Sequence, residues 1–161
     1  MTLYILVGQP GSGKTYFAKR HLMQGPGWLY ISRDEIRTKI LKDKEEYFSH
    51  ETEVFNNFVK QIKHGLESEG IFNIIADATH LNWTSRRKLI NALGNINCDI
   101  IPVVINCSIE KSISNNEKRS GREHVPIKAL QQMKENMTDP KGDPYYYTAI
   151  MYVDNNKEDK I

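Results

Sequence analysis

The sequence has little of several features that would assign it to particular classes of protein. It contains two cysteines, Cys98 and Cys107, without C-x-x-C spacing, so neither a disulfide framework nor a cysteine-rich zinc site is predicted. We expect both thiols to act as small buried side chains. The first apolar run, residues 3–7, is too short for a signal peptide or a membrane span. A cytoplasmic location without a membrane partner is therefore predicted.

Net charge is also small. The formal charge is +2 over 161 residues. A dedicated electrostatic binder of nucleic acid usually has a clear basic excess, so any site for a polyanion has to be local. The length and a hydrophobic content of 39% are typical of one globular domain. We assign that domain to residues 1–154 and a polar tail to residues 155–161, and we find no internal repeat.

Segments of strand and helix character alternate along the chain. The strand segments are 2–7, 28–32, 71–79, 98–107 and 145–154, and the helical ones begin near residues 14, 34, 47, 85, 108 and 125. This alternation predicts an α/β fold with a parallel sheet covered by helices on both faces. Ligands of such sheets bind at the carboxyl ends of the strands. Trp28 and Tyr30, in the second strand segment, are expected to pack in the core.

The stretch "VGQPGSGKTY" after the first strand matches the phosphate-binding pattern G-x-x-x-x-G-K-[ST]. The backbone N–H groups of such a loop surround a phosphate, and the following helix adds its positive end. Lys14 is predicted to reach the β- and γ-phosphates and Thr15 to bind Mg²⁺. The alternative is a glycine-rich turn before a helix. The predicted nucleotide-binding residues are Gly8, Gly11, Ser12, Gly13, Lys14 and Thr15.

Two aspartates follow predicted strands. Asp77 ends the third strand, where phosphate-binding-loop proteins hold the metal ion, and its alternative role is to cap the next turn. Asp34 follows the second strand in "ISRDEIR". A carboxylate there can take a proton from an acceptor hydroxyl, as a kinase requires, and can also cap a helix. Arg33 and Arg37, beside it, would attract an anionic acceptor.

A basic segment, "KRSGREH" at residues 118–124, follows the helix after the fourth strand. It has the composition of a lid that places arginines over a transferring phosphoryl group. A solvated charged loop is the alternative interpretation.

Together these elements resemble the kinase domain of phage-type polynucleotide 5′-hydroxyl kinases, within the small P-loop kinases. The resemblance spans residues 3–139 and rests on "GQPGSGKT", "ISRDEIR", "ADATHLN" with Arg86 and Arg87, and "NEKRSGREHVPIKALQQM". It implies a three-layer fold with strand order 2-3-1-4-5, ATP or GTP as donor, and Mg²⁺.

The resemblance also implies residue roles. Lys14 and Thr15 would bind the nucleotide and its metal, Asp77 would serve the metal site, and Asp34 would be the general base. Arg37 would hold the acceptor phosphate, and Arg119 would be a lid arginine on the donor phosphates.

The sequence departs from the family pattern at two positions. Asn115-Asn116 stands where the family commonly has Arg-Asn, and His80 stands where Asn is usual. We expect Arg122 to replace the missing arginine.

The predicted function is transfer of the γ-phosphoryl group of ATP to a 5′-hydroxyl of DNA or RNA. The first alternative is a kinase for a small metabolite or nucleotide sugar, which shares every donor-side feature. The second is a nucleotide-dependent switch without phosphotransfer. The D-x-D-x-T motif of the phosphatase domain in larger phage enzymes does not occur. The sequence does not distinguish DNA from RNA as the acceptor, or a monomer from an oligomer.

Overall fold

The computed structural model describes residues 1–156, and of Arg122 only the backbone. The strands are β1 Thr2–Val7, β2 Trp28–Ser32, β3 Asn73–Asp77, β4 Asp99–Asn106 and β5 Met151–Asp154. All neighbouring pairs are parallel, and the order across the sheet is β2-β3-β1-β4-β5. The predicted strand order is confirmed.

Helices cover both faces of the sheet. They are α1 Lys14–Phe17, α2 Arg33–Ile40, α3 Glu51–Glu67, α4 Trp83–Leu93, α5 Ile109–Glu117 and α6 Ile127–Glu135. Side chains of β1 alternate between two apolar clusters, because successive residues of a strand point to opposite faces. Leu3 and Ile5 pack with α3 and α4, whereas Leu6 packs with Ala18 and β4. The three-layer α/β fold is thereby confirmed.

The fifth strand is shorter than the sequence predicts. Tyrosines and β-branched residues favour a strand over residues 145–154, yet only Met151–Asp154 pairs with β4. The Tyr147 hydroxyl donates to the Asp143 carboxylate at 2.7 Å, and Asp143 is itself paired with the buried Arg86. This anchor holds the segment in an irregular path, so pairing starts only after it.

Two predicted helices also differ in detail. The helix predicted from Tyr47 begins at Glu51, because residues 47–50 form turns that direct the Tyr47 hydroxyl to Asp34. The helix after the glycine-rich loop is α-helical only to Phe17 and continues as a π-helical segment, Ala18–Leu22.

Asp77 is the last residue of β3, and Asp34 lies two residues beyond β2. Both aspartates and the glycine-rich loop after β1 therefore lie at the carboxyl edge of the sheet, as predicted. Within residues 1–156, none of the helices combines the length and the apolar character needed to cross a bilayer.

Candidate active site

The loop between β1 and α1 has the backbone of an anion cradle. Gly11 and Gly13 have φ values of 78° and 88°, in the region that glycine adopts at little cost. A Cβ at Gly11 would collide with the backbone oxygen of Ser112. Ser12 Oγ is buried and, among the described residues, has no hydrogen-bond partner. These features fit a loop shaped to bind a phosphate rather than an ordinary turn.

Three carboxamide side chains hold this loop in place. Asn155 Nδ2 donates to the Ser12 carbonyl at 2.7 Å, and Asn115 Nδ2 donates to the Gly11 carbonyl at 2.9 Å. Gln9 Nε2 donates to a carbonyl just after β4 at 3.1 Å. The bonds engage loop carbonyls and the Gln9 side chain, so none of them occupies a loop N–H group, although the Gly8 and Ser12 N–H groups donate to the Thr79 and Gln9 carbonyls. None of these supports is evident from the phosphate-binding pattern.

A cleft of about 170 Å³ opens beside the loop. Its lining includes residues of the loop, of α2 and α3, and of the connection between α5 and α6. The structure therefore brings together six of the predicted site residues in one cavity: Lys14, Thr15, Asp34, Arg37, Asp77 and Arg119. The Arg122 side chain lies outside the described part of the chain, so its predicted role stays a prediction.

Lys14 is a buried cation beside the phosphate-binding loop. Its Nζ lies 3.5 Å from the Gln9 carbonyl. Burial lowers the pKa of Lys14, and the negative charges of Asp77 and Asp34 oppose that shift. A desolvated ammonium group interacts strongly with an anion that enters the cleft.

Asp77 accepts two short hydrogen bonds on one oxygen. Thr15 Oγ1 donates to Asp77 Oδ2 at 2.6 Å, and the Tyr30 hydroxyl donates to the same atom at 2.5 Å. Burial, together with the charge and hydrogen bond of Asp77, raises the pKa of Tyr30. A hydroxyl and a carboxylate in contact are hard oxygen donors of the kind Mg²⁺ prefers. Tyr30 was expected only to pack in the core, and its polar role is a finding of the structure.

Asp34 is not the cap of α2. Ser32 occupies that position, and its hydroxyl accepts the Glu35 N–H at 3.2 Å. The Asp34 side chain is 67% exposed and lines the cleft. Its Oδ1 accepts from Arg37 and, at 3.1 Å, from the Tyr47 hydroxyl. Both bonds end on Oδ1, so neither occupies the second carboxylate oxygen.

Arg37 connects Asp34 to the start of α3. Its side chain is only 5% exposed, although it lies beside an exposed carboxylate. Nε donates to Glu51 Oε1 at 2.7 Å and Nη2 donates to Glu51 Oε2 at 3.1 Å, which is the bidentate geometry of strong arginine–carboxylate pairs. Burial lowers the pKa of Arg37, but the bonds to Glu51 and Tyr47 outweigh it and raise the pKa.

The predicted lid is a short connection between α5 and α6. Asn116 closes it, because its side chain both donates to the Val125 carbonyl at 2.7 Å and accepts the Val125 N–H at 3.0 Å. Arg119 is half-buried and lines the cleft, whereas Lys118 is exposed. The segment thus contains one cleft-lining arginine among the side chains described.

Comparison with known proteins gives the family. Residues 3–140 match the family described as an AAA domain. The chain belongs to this family. It is a P-loop kinase-type domain, as the sheet order and the glycine-rich loop also indicate.

Solved structures with this fold belong to proteins with different names. A chain of the Pnkp1/Rnl/Hen1 RNA repair complex is 23% identical with a TM-score of 0.68, over 84% of this chain and 43% of that chain. Kti12 of Chaetomium thermophilum, solved with ADP-AlF3, is 14% identical with a TM-score of 0.67, over 98% of this chain and 91% of Kti12. A gluconokinase from Sinorhizobium meliloti 1021 is 17% identical with a TM-score of 0.58, over 98% and 84%. At these identities the likeness shows the fold alone.

Two residues of this AAA domain serve as supports: Arg86, which fits the pattern of the polynucleotide kinases, and His80, which departs from it. Arg86 is fully buried and forms two hydrogen bonds to Asp143, at 2.6 and 2.7 Å. It also donates to the His80 carbonyl at 2.9 Å. His80 is buried beside the Leu6 carbonyl, and burial lowers its pKa to about 4. Both residues stabilise the loop after β3 rather than line the cleft.

Sequence reasoning missed Glu51 and Tyr47. Both line the cleft and contact Arg37, yet neither stands at a fixed position of a recognised motif. The signal for Glu51 was an acid in the first turn of a helix. The helix dipole favours Glu at that position in any protein, so the signal does not indicate a functional site.

Proposed function

We propose that this AAA domain transfers the γ-phosphoryl group of ATP to the 5′-hydroxyl of a nucleic acid. The observation that carries the proposal is the single cleft that Lys14, Arg119 and Asp34 line. Two of these residues are cations suited to donor phosphates, and the third is a carboxylate suited to a hydroxyl. An exposed carboxylate that lines the same cavity supports phosphotransfer over nucleotide binding alone.

The proposed reaction exchanges one P–O bond for another. The oxygen of the acceptor hydroxyl bonds to the γ-phosphorus while the bond from that phosphorus to the bridging oxygen breaks, and ADP leaves. Asp34 accepts the hydroxyl proton. Lys14 and Arg119 neutralise charge on the transferring group. Thr15 and Asp77 would hold Mg²⁺, which supplies further positive charge to the donor phosphates.

The acceptor side supports a substrate that contains a phosphate. Arg33 and Arg37 both line the cleft beside Asp34. Arg37 lies one helical turn from Asp34, so it can contact the phosphate on the 3′ side of a terminal nucleoside while Asp34 meets the 5′-hydroxyl. The two bonds to Glu51 hold the guanidinium in a fixed orientation for that contact.

A kinase for a small metabolite is the second candidate. The pairing of Arg37 favours it. Arg37 is already paired with both Glu51 and Asp34, so its charge is largely neutralised before an acceptor enters. A neutral polyol needs only the carboxylate. The gluconokinase among the similar structures shows that this fold also occurs in a protein named for a small-molecule substrate.

An acceptor screen with γ-labelled ATP tests the proposal. The panel contains 5′-hydroxyl DNA and RNA oligonucleotides, a nucleoside 3′-monophosphate, the plain nucleoside, gluconate and other sugars. Oligonucleotides already phosphorylated at the 5′ end are the matched control. We expect label on the 5′-hydroxyl oligonucleotides and the nucleoside 3′-monophosphate, and little on the plain nucleoside. Efficient labelling of a sugar with none of the nucleic acids would establish the second candidate instead.

A further inference from the structure

Phe48 is an exposed aromatic residue at the acceptor side of the cleft. It is 60% exposed and lines the same cavity as Asp34 and Arg37. A single exposed apolar side chain is common on protein surfaces and by itself indicates nothing. The position of Phe48 does, because Arg37 and Tyr47, which contact its ring, are the residues that contact Asp34.

The Phe48 ring is held in place although it is exposed. It meets the Tyr47 ring edge-on, with centroids 4.9 Å apart and an interplanar angle of 78°. The Arg37 guanidinium lies 5.2 Å from its centroid. Tyr47 in turn donates to Asp34 at 3.1 Å. The ring is therefore positioned by Arg37, the proposed contact of the acceptor phosphate, and by Tyr47, which donates to the proposed base Asp34.

From this arrangement we infer that Phe48 is the stacking surface for the terminal nucleobase of the acceptor. The inference rests on the proposed function and names a specificity contact within it. The base and the 5′-hydroxyl belong to the same nucleoside, so a hydroxyl at Asp34 keeps the base within a few ångströms of the Asp34–Arg37 pair. An aromatic ring binds any base through its π-face, which gives affinity without sequence preference.

The test compares two 5′-hydroxyl oligonucleotides that differ in one group. One has an ordinary terminal nucleotide, and the other has an abasic residue, with the same sugar and phosphate, at the 5′ end. For the unmodified protein we expect kcat/KM to favour the first acceptor by roughly 5- to 150-fold, the range that corresponds to stacking of one base. Phe48→Leu and Phe48→Ala should remove the preference, and Phe48→Trp should retain it.

Phe72→Ala is the matched control. Phe72 is 65% exposed and precedes β3, at the end of the sheet opposite the cleft, so its removal should leave both rates and the preference unchanged. Nucleotide affinity of each variant, measured by calorimetry, shows that the phosphate-binding loop is intact. Phe48→Leu keeps an apolar side chain of similar bulk and so separates loss of aromaticity from loss of folding.

The outcomes separate the inference from the function it depends on. If the unmodified protein phosphorylates both oligonucleotides equally, or if Phe48→Leu keeps the full preference, the stacking role is wrong and the proposed function stands. If neither oligonucleotide is phosphorylated while a sugar is, the proposed function fails and the stacking role fails with it.

Discussion

The two sides of the cleft are built from different parts of the chain. On the donor side, residues 8–15 present backbone N–H groups, and side chains from distant elements hold that backbone through its carbonyls and through Gln9. On the acceptor side, the functional groups are side chains that hold one another: Asp34, Arg37, Tyr47 and Glu51.

This difference explains why the donor side is recognisable from a fixed sequence pattern and the acceptor side only in part. Backbone that must adopt positive φ requires glycine at fixed positions, so the donor side leaves a motif. A network of charged side chains can be assembled from many positions, so "ISRDEIR" predicts Asp34 and Arg37 but not their partners Tyr47 and Glu51. The predictions below separate the two sides by changes that should affect one and spare the other, in order of decreasing effect.

Replacing Asp34 with asparagine should produce the largest separation. The change removes the proposed base and leaves the phosphate-binding loop untouched, so turnover should fall by about 100- to 10,000-fold while nucleotide affinity stays the same. Single-turnover phosphotransfer and calorimetry measure the two quantities. Asp43→Asn, at an exposed loop position, is the control. Near-normal turnover in Asp34→Asn would show that the carboxylate is not the base.

Removing Arg119 should affect the donor side during the chemical step. A cation that meets charge developed in the transition state contributes more to turnover than to substrate binding. We expect kcat of Arg119→Ala to fall by roughly 100- to 1,000-fold, with a smaller change in ATP affinity. The neighbouring Lys118→Ala, at an exposed position, should be silent.

The same assay tests the prediction that Arg122 replaces the arginine absent at Asn115. Arg122→Ala should then also depress turnover strongly. If it retains the normal rate, the cleft works with Arg119 as its lid arginine, and the remainder of the basic segment is the charged loop considered as the alternative.

Arg37→Ala should affect the acceptor side alone. If Arg37 binds the acceptor phosphate, KM for a nucleoside 3′-monophosphate should rise by roughly 10- to 100-fold, because hydrogen bonds to a charged group are lost. KM for the plain nucleoside and for ATP should barely change. Arg20→Ala, an exposed arginine outside the cleft, is the control. An equal rise for nucleoside and nucleotide would mean that Arg37 positions Asp34 rather than reads a phosphate.

Tyr30→Phe should have the smallest effect, and on the donor side. It deletes one of two hydrogen bonds to Asp77, which frees the carboxylate to rotate. We expect the Mg²⁺ concentration for half-maximal nucleotide binding to rise by about twofold to tenfold, the usual value of one such bond. Calorimetric Mg²⁺ titration measures it, with Tyr4→Phe of β1 as control. A fall in that Mg²⁺ concentration would show instead that the Tyr30 hydroxyl competes with the metal for Asp77.

The sheet and the donor side could be predicted because their signals are local. Alternating strands and helices lead to a parallel sheet, and the spacing from Gly8 to Thr15 leads to the phosphate loop. The interactions that complete the site join distant positions. Asn115 lies 104 residues from its partner Gly11, and Glu51 lies 14 residues from Arg37, without a periodic pattern in either case. Tyr30 was expected in the core because a strand tyrosine packs well, and only the structure shows its hydroxyl on Asp77.

The hydrogen bond from Asn155 to the Ser12 carbonyl determines when, during synthesis, the phosphate-binding loop becomes fully supported. It joins positions 143 residues apart. On the ribosome the phosphate loop emerges early, but this support is absent until residue 155 has followed it out of the exit tunnel. A nucleotide that binds before then meets a loop that lacks one of its three supporting side-chain hydrogen bonds. Nucleotide affinity should therefore rise once residue 155 has left the tunnel, and ATP should stabilise the finished fold more than its nascent precursors.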